Sequence, residues 1–213
     1  VLGAWRQLAV QANVLFVVDT SGSMATPIAG SATKVSKIQA AVGAAGTAMA
    51  LFSERARVGL WSFAGGKRGQ IDYRELVSSG PVGELVGGVP RRQAIGLALQ
   101  GLRPRGDTGL YNTVLAARRA MATQADAEHV TIVIVVTDGR NDAQGGATLK
   151  DVLTELRAQP QNARVRFFTV AFGPDADQRT LAQIAEASGG TALVAPRTED
   201  LPAVFAAALT GRR

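Results

Sequence analysis

The sequence predicts an α/β fold, with a doubly wound, mostly parallel central sheet, one antiparallel edge strand and helices on both faces. Three observations carry this. Apolar runs of strand length alternate with segments of helical periodicity along the chain, which is the pattern of βα units and a parallel sheet. Two runs, residues 13–19 and 130–136, are nearly continuous and rich in β-branched residues, as central strands buried on both faces require. Residues 57–63 and 73–78 are joined by a glycine-rich turn instead of a helix, so they read as a hairpin that supplies the antiparallel edge.

Each element follows in order. Leu2, Trp5 and Leu8 recur at helical spacing, so residues 1–12 read as a lead-in helix. Residues 13–19 are the first strand. Ile38, Val42, Ala45, Met49 and Phe52 share one helical stripe, which predicts a helix over 35–52. Its many Ala and Gly residues permit close approach to a sheet. Strand 57–63, a turn over 64–69 and strand 73–78 come next. Residues 93–102 read as a short helix stopped by Arg103-Pro104, and 112–124 as a longer one. The fourth strand is 130–136. A helix over 149–159 stops at Pro160, and 165–172 is another buried strand. Residues 178–188 form a helix ended by Gly189-Gly190, followed by a short strand over 191–194. Residues 201–209 close the chain as a helix with Pro202 in its first turn. No repeat, low-complexity stretch or linker interrupts this order. Residues 1–213 therefore read as one domain, with 1–12 as lead-in and 13–209 as core.

Composition narrows the function classes. The chain has 213 residues, 46% hydrophobic and 19% charged, which reads as globular. The net charge is +6, but the basic residues are scattered, and two Trp and two Tyr offer little for base stacking. No nucleic-acid partner is expected. There is no Cys, so disulfides are excluded, although the compartment is not thereby decided. No run reaches the ~18 apolar residues of a membrane span. The sequence starts without Met and with no leader pattern, so it reads as a piece of a longer protein whose targeting segment lies elsewhere.

The chemistry concentrates where strands end. The first strand runs into Asp19-Thr20-Ser21-Gly22-Ser23 with no basic residue beside it in the sequence, and the fourth into Thr137-Asp138-Gly139-Arg140-Asn141-Asp142. A third loop, Gly106-Asp107-Thr108-Gly109-Leu110, opens a helix. Ligands of doubly wound sheets bind beyond the carboxyl ends of the strands, where the strand order reverses. If the two strands are neighbours, the three loops meet there. Their donors are carboxylates and hydroxyls, without His or Cys, which suits a hard cation: Mg²⁺ or Mn²⁺, with Ca²⁺ less favoured because it prefers more carboxylates. Asp19, Ser21 and Ser23 alternate across a tight turn and can converge on one point, with Gly22 easing the turn.

Asp19-x-Ser21-x-Ser23, Thr108 in a Gly-x-Thr-x-Leu stretch and Asp138 in Thr-Asp-Gly, in this order, resemble the metal-ion-dependent adhesion site of von Willebrand factor type A domains. The resemblance extends from about residue 13 to 209 and implies a Rossmann-like fold. It further implies that Ser21, Ser23 and Thr108 offer hydroxyl ligands and that Asp19 and Asp138 bind the metal directly or through water. An acidic residue of a protein partner would take the remaining position. Thr108 then points inward, and its neighbour Asp107 points away. The motifs, with Phe172-Gly173-Pro174-Asp175-Ala176, are also similar to the type A module of bacterial, often actinobacterial, surface proteins, which implies an extracellular or cell-surface location.

Three readings follow. The first is a divalent-cation-dependent, adhesion-type protein-binding module. The second is a regulatory subunit of an intracellular AAA+ or chelatase-type complex, since type A domains also occur beside metal chelatases. The third is a metal-dependent hydrolase or phosphotransferase. The residues speak against an enzyme: Ser21 stands where a common aspartyl-phosphatase pattern has a second Asp, and no Gly stretch has the Lys-Ser or Lys-Thr ending of a phosphate cradle. The single His, His129, reads as a surface residue, Trp61 and Phe63 as packing residues, and Asp142 as a loop or capping residue.

Overall fold

The computed structural model describes residues 12–27, 35–50, 52–65, 72–126, 129–142, 145–173 and 176–195. A six-stranded sheet forms its centre, with strands in the order 73–81, 57–63, 12–19, 130–137, 165–172 and 192–195. β1 (Ala12–Asp19) pairs in parallel with β2 (Arg57–Phe63) on one side and with β6 (Val130–Thr137) on the other. β3 (Tyr73–Pro81) runs antiparallel to β2 at one edge. β4 (Leu85–Val86) and β5 (Val89–Pro90) make a separate small hairpin. β7 (Val165–Phe172) and β8 (Ala192–Ala195) complete the other half in parallel. The order reverses between β1 and β6, so their carboxyl ends flank the crevice.

All eight residues of β1 are buried, because both sheet faces are covered. On one face Val14, Phe16 and Val18 pack with α1 (Lys37–Met49) and α2 (Arg91–Gln100). On the other Leu15 and Val17 pack with α3 (Leu110–Ala122), α4 (Leu149–Arg157) and α5 (Gln178–Ser188). The alanines of α1 are buried against the sheet, as expected of a helix rich in small residues. Trp61 and Phe63 lie in the core.

Several boundaries differ from the sequence reading. Ala12 belongs to β1 and not to a lead-in helix; the rest of that segment and the closing helix over 201–209 lie outside the described residues. α1 starts at Lys37 because Ser36 caps it, its hydroxyl accepting from the Gln39 amide while the Gln39 side chain accepts from the Ser36 amide. α2 and α3 each begin two residues earlier than periodicity placed them. α4 ends at Arg157, and Gln159 leaves the helix to donate to the carbonyls of Leu156 and Val165 and to accept from the Val165 amide. This side chain links the helix end to β7. The β4–β5 hairpin escaped the sequence reading, although its turn, Gly87-Gly88 at φ +58° and +86°, is the residue pair such a turn demands.

Candidate metal centre

The β1–β6 pairing sets Asp19 and Thr137 at adjacent strand ends, and Asp138 follows directly. The Thr137 hydroxyl donates to Asp19 Oδ2, and the Ser21 amide donates to Asp19 Oδ1 at 2.7 Å. The Ser21 and Ser23 hydroxyls lie 3.1 Å apart, and Ser23 Oγ donates to Asp138 Oδ1 at 2.8 Å. Asp19, Ser21, Ser23 and Asp138 thus form one continuous hydrogen-bonded set. Thr108 approaches it from the third loop without bonding to it. Its Oγ1 lies 3.1 Å from where a side chain on Gly139 would begin, and the residue is buried.

Backbone bonds stitch the loops together. The amide of Thr20 donates to the Phe63 carbonyl at the end of β2, and the amides of Gly22 and Arg105 donate to the carbonyls of Gly106 and Thr20. Gly65 donates to the Asp107 carbonyl. Gly22 does not adopt a left-handed conformation. It opens a one-turn 3₁₀ segment over Gly22–Ala25, and its amide bond to Gly106 is what ties the two loops. Asp107 is exposed, with its Cβ against Gly65, whereas Thr108 beside it is buried.

Three contributions were not read from the sequence. Asp142 clamps Thr108: its carboxylate accepts from the Thr108 amide, and its own amide donates to the Thr108 carbonyl at 3.1 Å. Thr137 binds Asp19, a role that its place just before Asp138 at a strand end could have signalled. The third is a cation that does not stand beside the first strand's oxygens in the sequence but meets the site in the fold. Lys37 Nζ lies 2.6 Å from Asp138 Oδ2, with both side chains at most 9% exposed. Only the fold brings this pair together across 101 residues. His129 is partly exposed, with Nδ1 2.8 Å from Asp126 Oδ1, and lies outside the set.

The electrostatics fit a cation. Burial pushes the Asp19 carboxyl up to about 6, against the opposing hydrogen bonds from Thr137 and Ser21, and the nearby Asp138 adds to the rise. A carboxylate so desolvated is short of positive charge. The donor set has two carboxylates and several neutral hydroxyls. Among the described residues no group of three or more His, Cys, Asp or Glu forms, so the oxygens gathered here are two carboxylates beside neutral hydroxyls. Hard oxygen donors of this kind match Mg²⁺ or Mn²⁺ chemistry.

A family model of the von Willebrand factor type A domain matches residues 13–207. Solved structures agree in fold. A von Willebrand factor type A protein from Catenulispora acidiphila superposes with a TM-score of 0.71 at 22% identity, over 94% of this chain and 42% of that one. Proximal thread matrix protein 1 from the mussel byssus, solved with a zinc-occupied MIDAS motif, gives 0.67 at 17% identity over 94% of this chain and 47% of that one. The pilus adhesin SpaC from Lactobacillus rhamnosus GG, in its open conformation, gives 0.63 at 17% identity over 95% and 30%. This chain spans less than half the length of each of these structures. No curated protein matches the chain. With the family match covering nearly all of the sequence and the sheet order, loops and hydroxyl-carboxylate set in place, the chain belongs to the von Willebrand factor type A domain family.

Proposed function

We propose that the chain is a divalent-cation-dependent protein-binding module in which Asp19, Ser21, Ser23, Thr108 and Asp138 hold Mg²⁺ or Mn²⁺. The carrying observation is the hydrogen-bonded set at the β1 and β6 ends, in which Ser23 joins the first loop to Asp138 at 2.8 Å. When bound, such an ion supplies a Lewis-acidic position that an Asp or Glu of a protein partner can complete. The chain's own residues orient the hydroxyls, fix Asp19 through Thr137 and Ser21, and set Thr108 through Asp142.

The surroundings favour an acidic partner. A groove of about 660 Å³ opens beside the site, lined by Thr20, Gly65 and Gly106 from the stitched loops and by Arg74, Arg103 and Arg105. The three arginines are exposed. Arg103 is engaged with the carbonyls of Gln100 and Leu102 at the end of α2, and Arg74 and Arg105 also line the groove, as does the buried Asp72. Acidic residues flanking the metal-directed carboxylate would meet these charges, and the net charge of +6 assists the encounter at low salt. A pilus adhesin and a byssus matrix protein among the structural relatives support a non-enzymatic role outside the cell. Among the described residues no helix is long and apolar enough to cross a membrane.

The test is calorimetric titration with MgCl₂, followed by binding assays of a surface partner in Mg²⁺ and in EDTA. Binding heat should appear for the wild type and be lost in Ser23→Ala. Partner affinity should fall when EDTA is added or when a single partner carboxylate is neutralised. A partner held equally well in EDTA sinks the reading.

A further inference from the structure

Lys37 occupies a position that neither helix formation nor solvation explains. It is the first residue of α1, and the first turn of that helix contains no acidic residue. A positive charge there sits at the unfavourable end of the helix dipole. Its side chain is nevertheless 9% exposed, and a buried ammonium is tolerated only with a close, well-aligned partner. The partner is Asp138 Oδ2 at 2.6 Å, and the side chain of Asp138 is fully buried.

The placement is constrained from several sides. The Lys37 amide donates to the Thr26 carbonyl, which ties the helix start to the loop that carries Ser21 and Ser23. The Lys37 Cε and Nζ lie 3.5 Å and 3.8 Å from where a side chain on Gly173 would begin, just past the end of β7. Asp138 meanwhile turns its other oxygen to Ser23. One carboxylate is therefore shared between an ammonium and the proposed metal ligands.

Resting on the metal-site reading above, we propose that Lys37 is a tethered cation of this centre: its ammonium shares Asp138 with the divalent ion, stabilises the metal-free fold and lowers the affinity for the metal. With Lys37 present, the two carboxylates carry a net charge of −1 instead of −2. A divalent ion must then either displace the ammonium from Asp138 or tolerate its repulsion, and both weaken binding. Even water-screened repulsion between +2 and +1 charges a few ångströms apart amounts to about a factor of ten. Lys37 thereby sets the cation concentration at which the module becomes competent for a partner.

The experiment titrates MgCl₂ into the wild type, Lys37→Met and Lys37→Arg by calorimetry, and melts each in EDTA. Lys37→Met keeps most of the side-chain volume and removes the charge. It should bind Mg²⁺ at least about tenfold more tightly, melt at a lower temperature in EDTA and recover on adding Mg²⁺. Lys37→Arg should bind Mg²⁺ like the wild type. Should Lys37→Met prove unfolded in EDTA, circular dichroism in Mg²⁺ decides: recovery of structure supports the proposal, and an unfolded chain in both conditions overturns it. Equal or weaker Mg²⁺ binding by a folded Lys37→Met also overturns it, while wild-type binding leaves the metal site standing. Absence of Mg²⁺ heat in both proteins removes both readings.

Discussion

Asp142 shows how a residue outside the proposed ligand set can govern it. Its paired bonds with the amide and carbonyl of Thr108 fix the loop from which the Thr108 hydroxyl projects. Asp142→Ala leaves the Thr108 amide without this acceptor and frees the loop. Partners that orient a ligand typically matter by ~10–100-fold in metal affinity, so Mg²⁺ titration of Asp142→Ala should show a loss of that order. Asp107→Ala, one residue from Thr108 but exposed and turned toward Gly65, should titrate like the wild type. Equal losses in both variants would mean that the third loop is held differently. Asp138→Ala has a separate consequence, because it strands a buried ammonium. Breaking one side of such a pair costs about 3–5 kcal/mol, so this variant should lose stability in urea even in EDTA.

At the scale of an element, α5 depends on its first cap. The Asp177 carboxylate accepts from the Thr180 amide at 3.1 Å, and that bond, helped by the Thr180 hydroxyl and by Arg140 and Arg179, holds its carboxyl below the ordinary aspartate range. A carboxyl depressed in the folded state contributes stability above its unfolded pKa and loses it as pH falls through the folded value. Asp177→Ala should therefore cost about 1 kcal/mol at pH 7, with the difference from wild type shrinking at pH 3 or below. Asp177→Asn keeps a cap that does not titrate and should flatten this dependence. Urea midpoints at the two pH values decide between charge and cap. The far end of the helix is fixed differently: Gly189 takes φ +78°, and a Cβ on Gly190 would lie 2.0 Å from the Phe167 carbonyl oxygen, so β7 passes too close to admit any side chain there.

For the whole molecule, metal binding should appear as stability. An ion that binds the native state alone adds RT ln(1 + [L]/Kd), about 2.7 kcal/mol at a hundredfold excess over Kd. For a chain of this size that corresponds to a rise of roughly 5–11 °C in melting temperature. Calorimetric melts in millimolar Mg²⁺ should show the rise, and EDTA should reverse it. Curves that superpose in both conditions would count against an occupied site. The sheet order gives the global reason for a site here: β1 and β6 part company at the reversal, so their loops diverge and leave space above two neighbouring strand ends.

The sequence by itself determined the layer order and the oxygen-rich loops, because both are local. The unbroken apolar run at 14–18 and the continuous β-branched run at 130–136 can satisfy burial on both faces only as central strands, and Asp19, Ser21, Ser23, Thr108 and Asp138 sit at strand ends or a helix opening that composition marks. Periodicity located α5 and β7 to the residue, but it misplaced the starts of α2 and α3, where no capping side chain marks the boundary. The tertiary structure alone decided which charges meet. Lys37 and Asp138 are 101 residues apart and lie on a helix start and a strand end. Their pairing follows from α1 packing over the β1 side of the sheet, a distance relation that no local pattern encodes. The clamp of Asp142 on Thr108 is of the same kind, since hydrogen bonds between loops depend on register and strand order, which are fixed only when the sheet assembles.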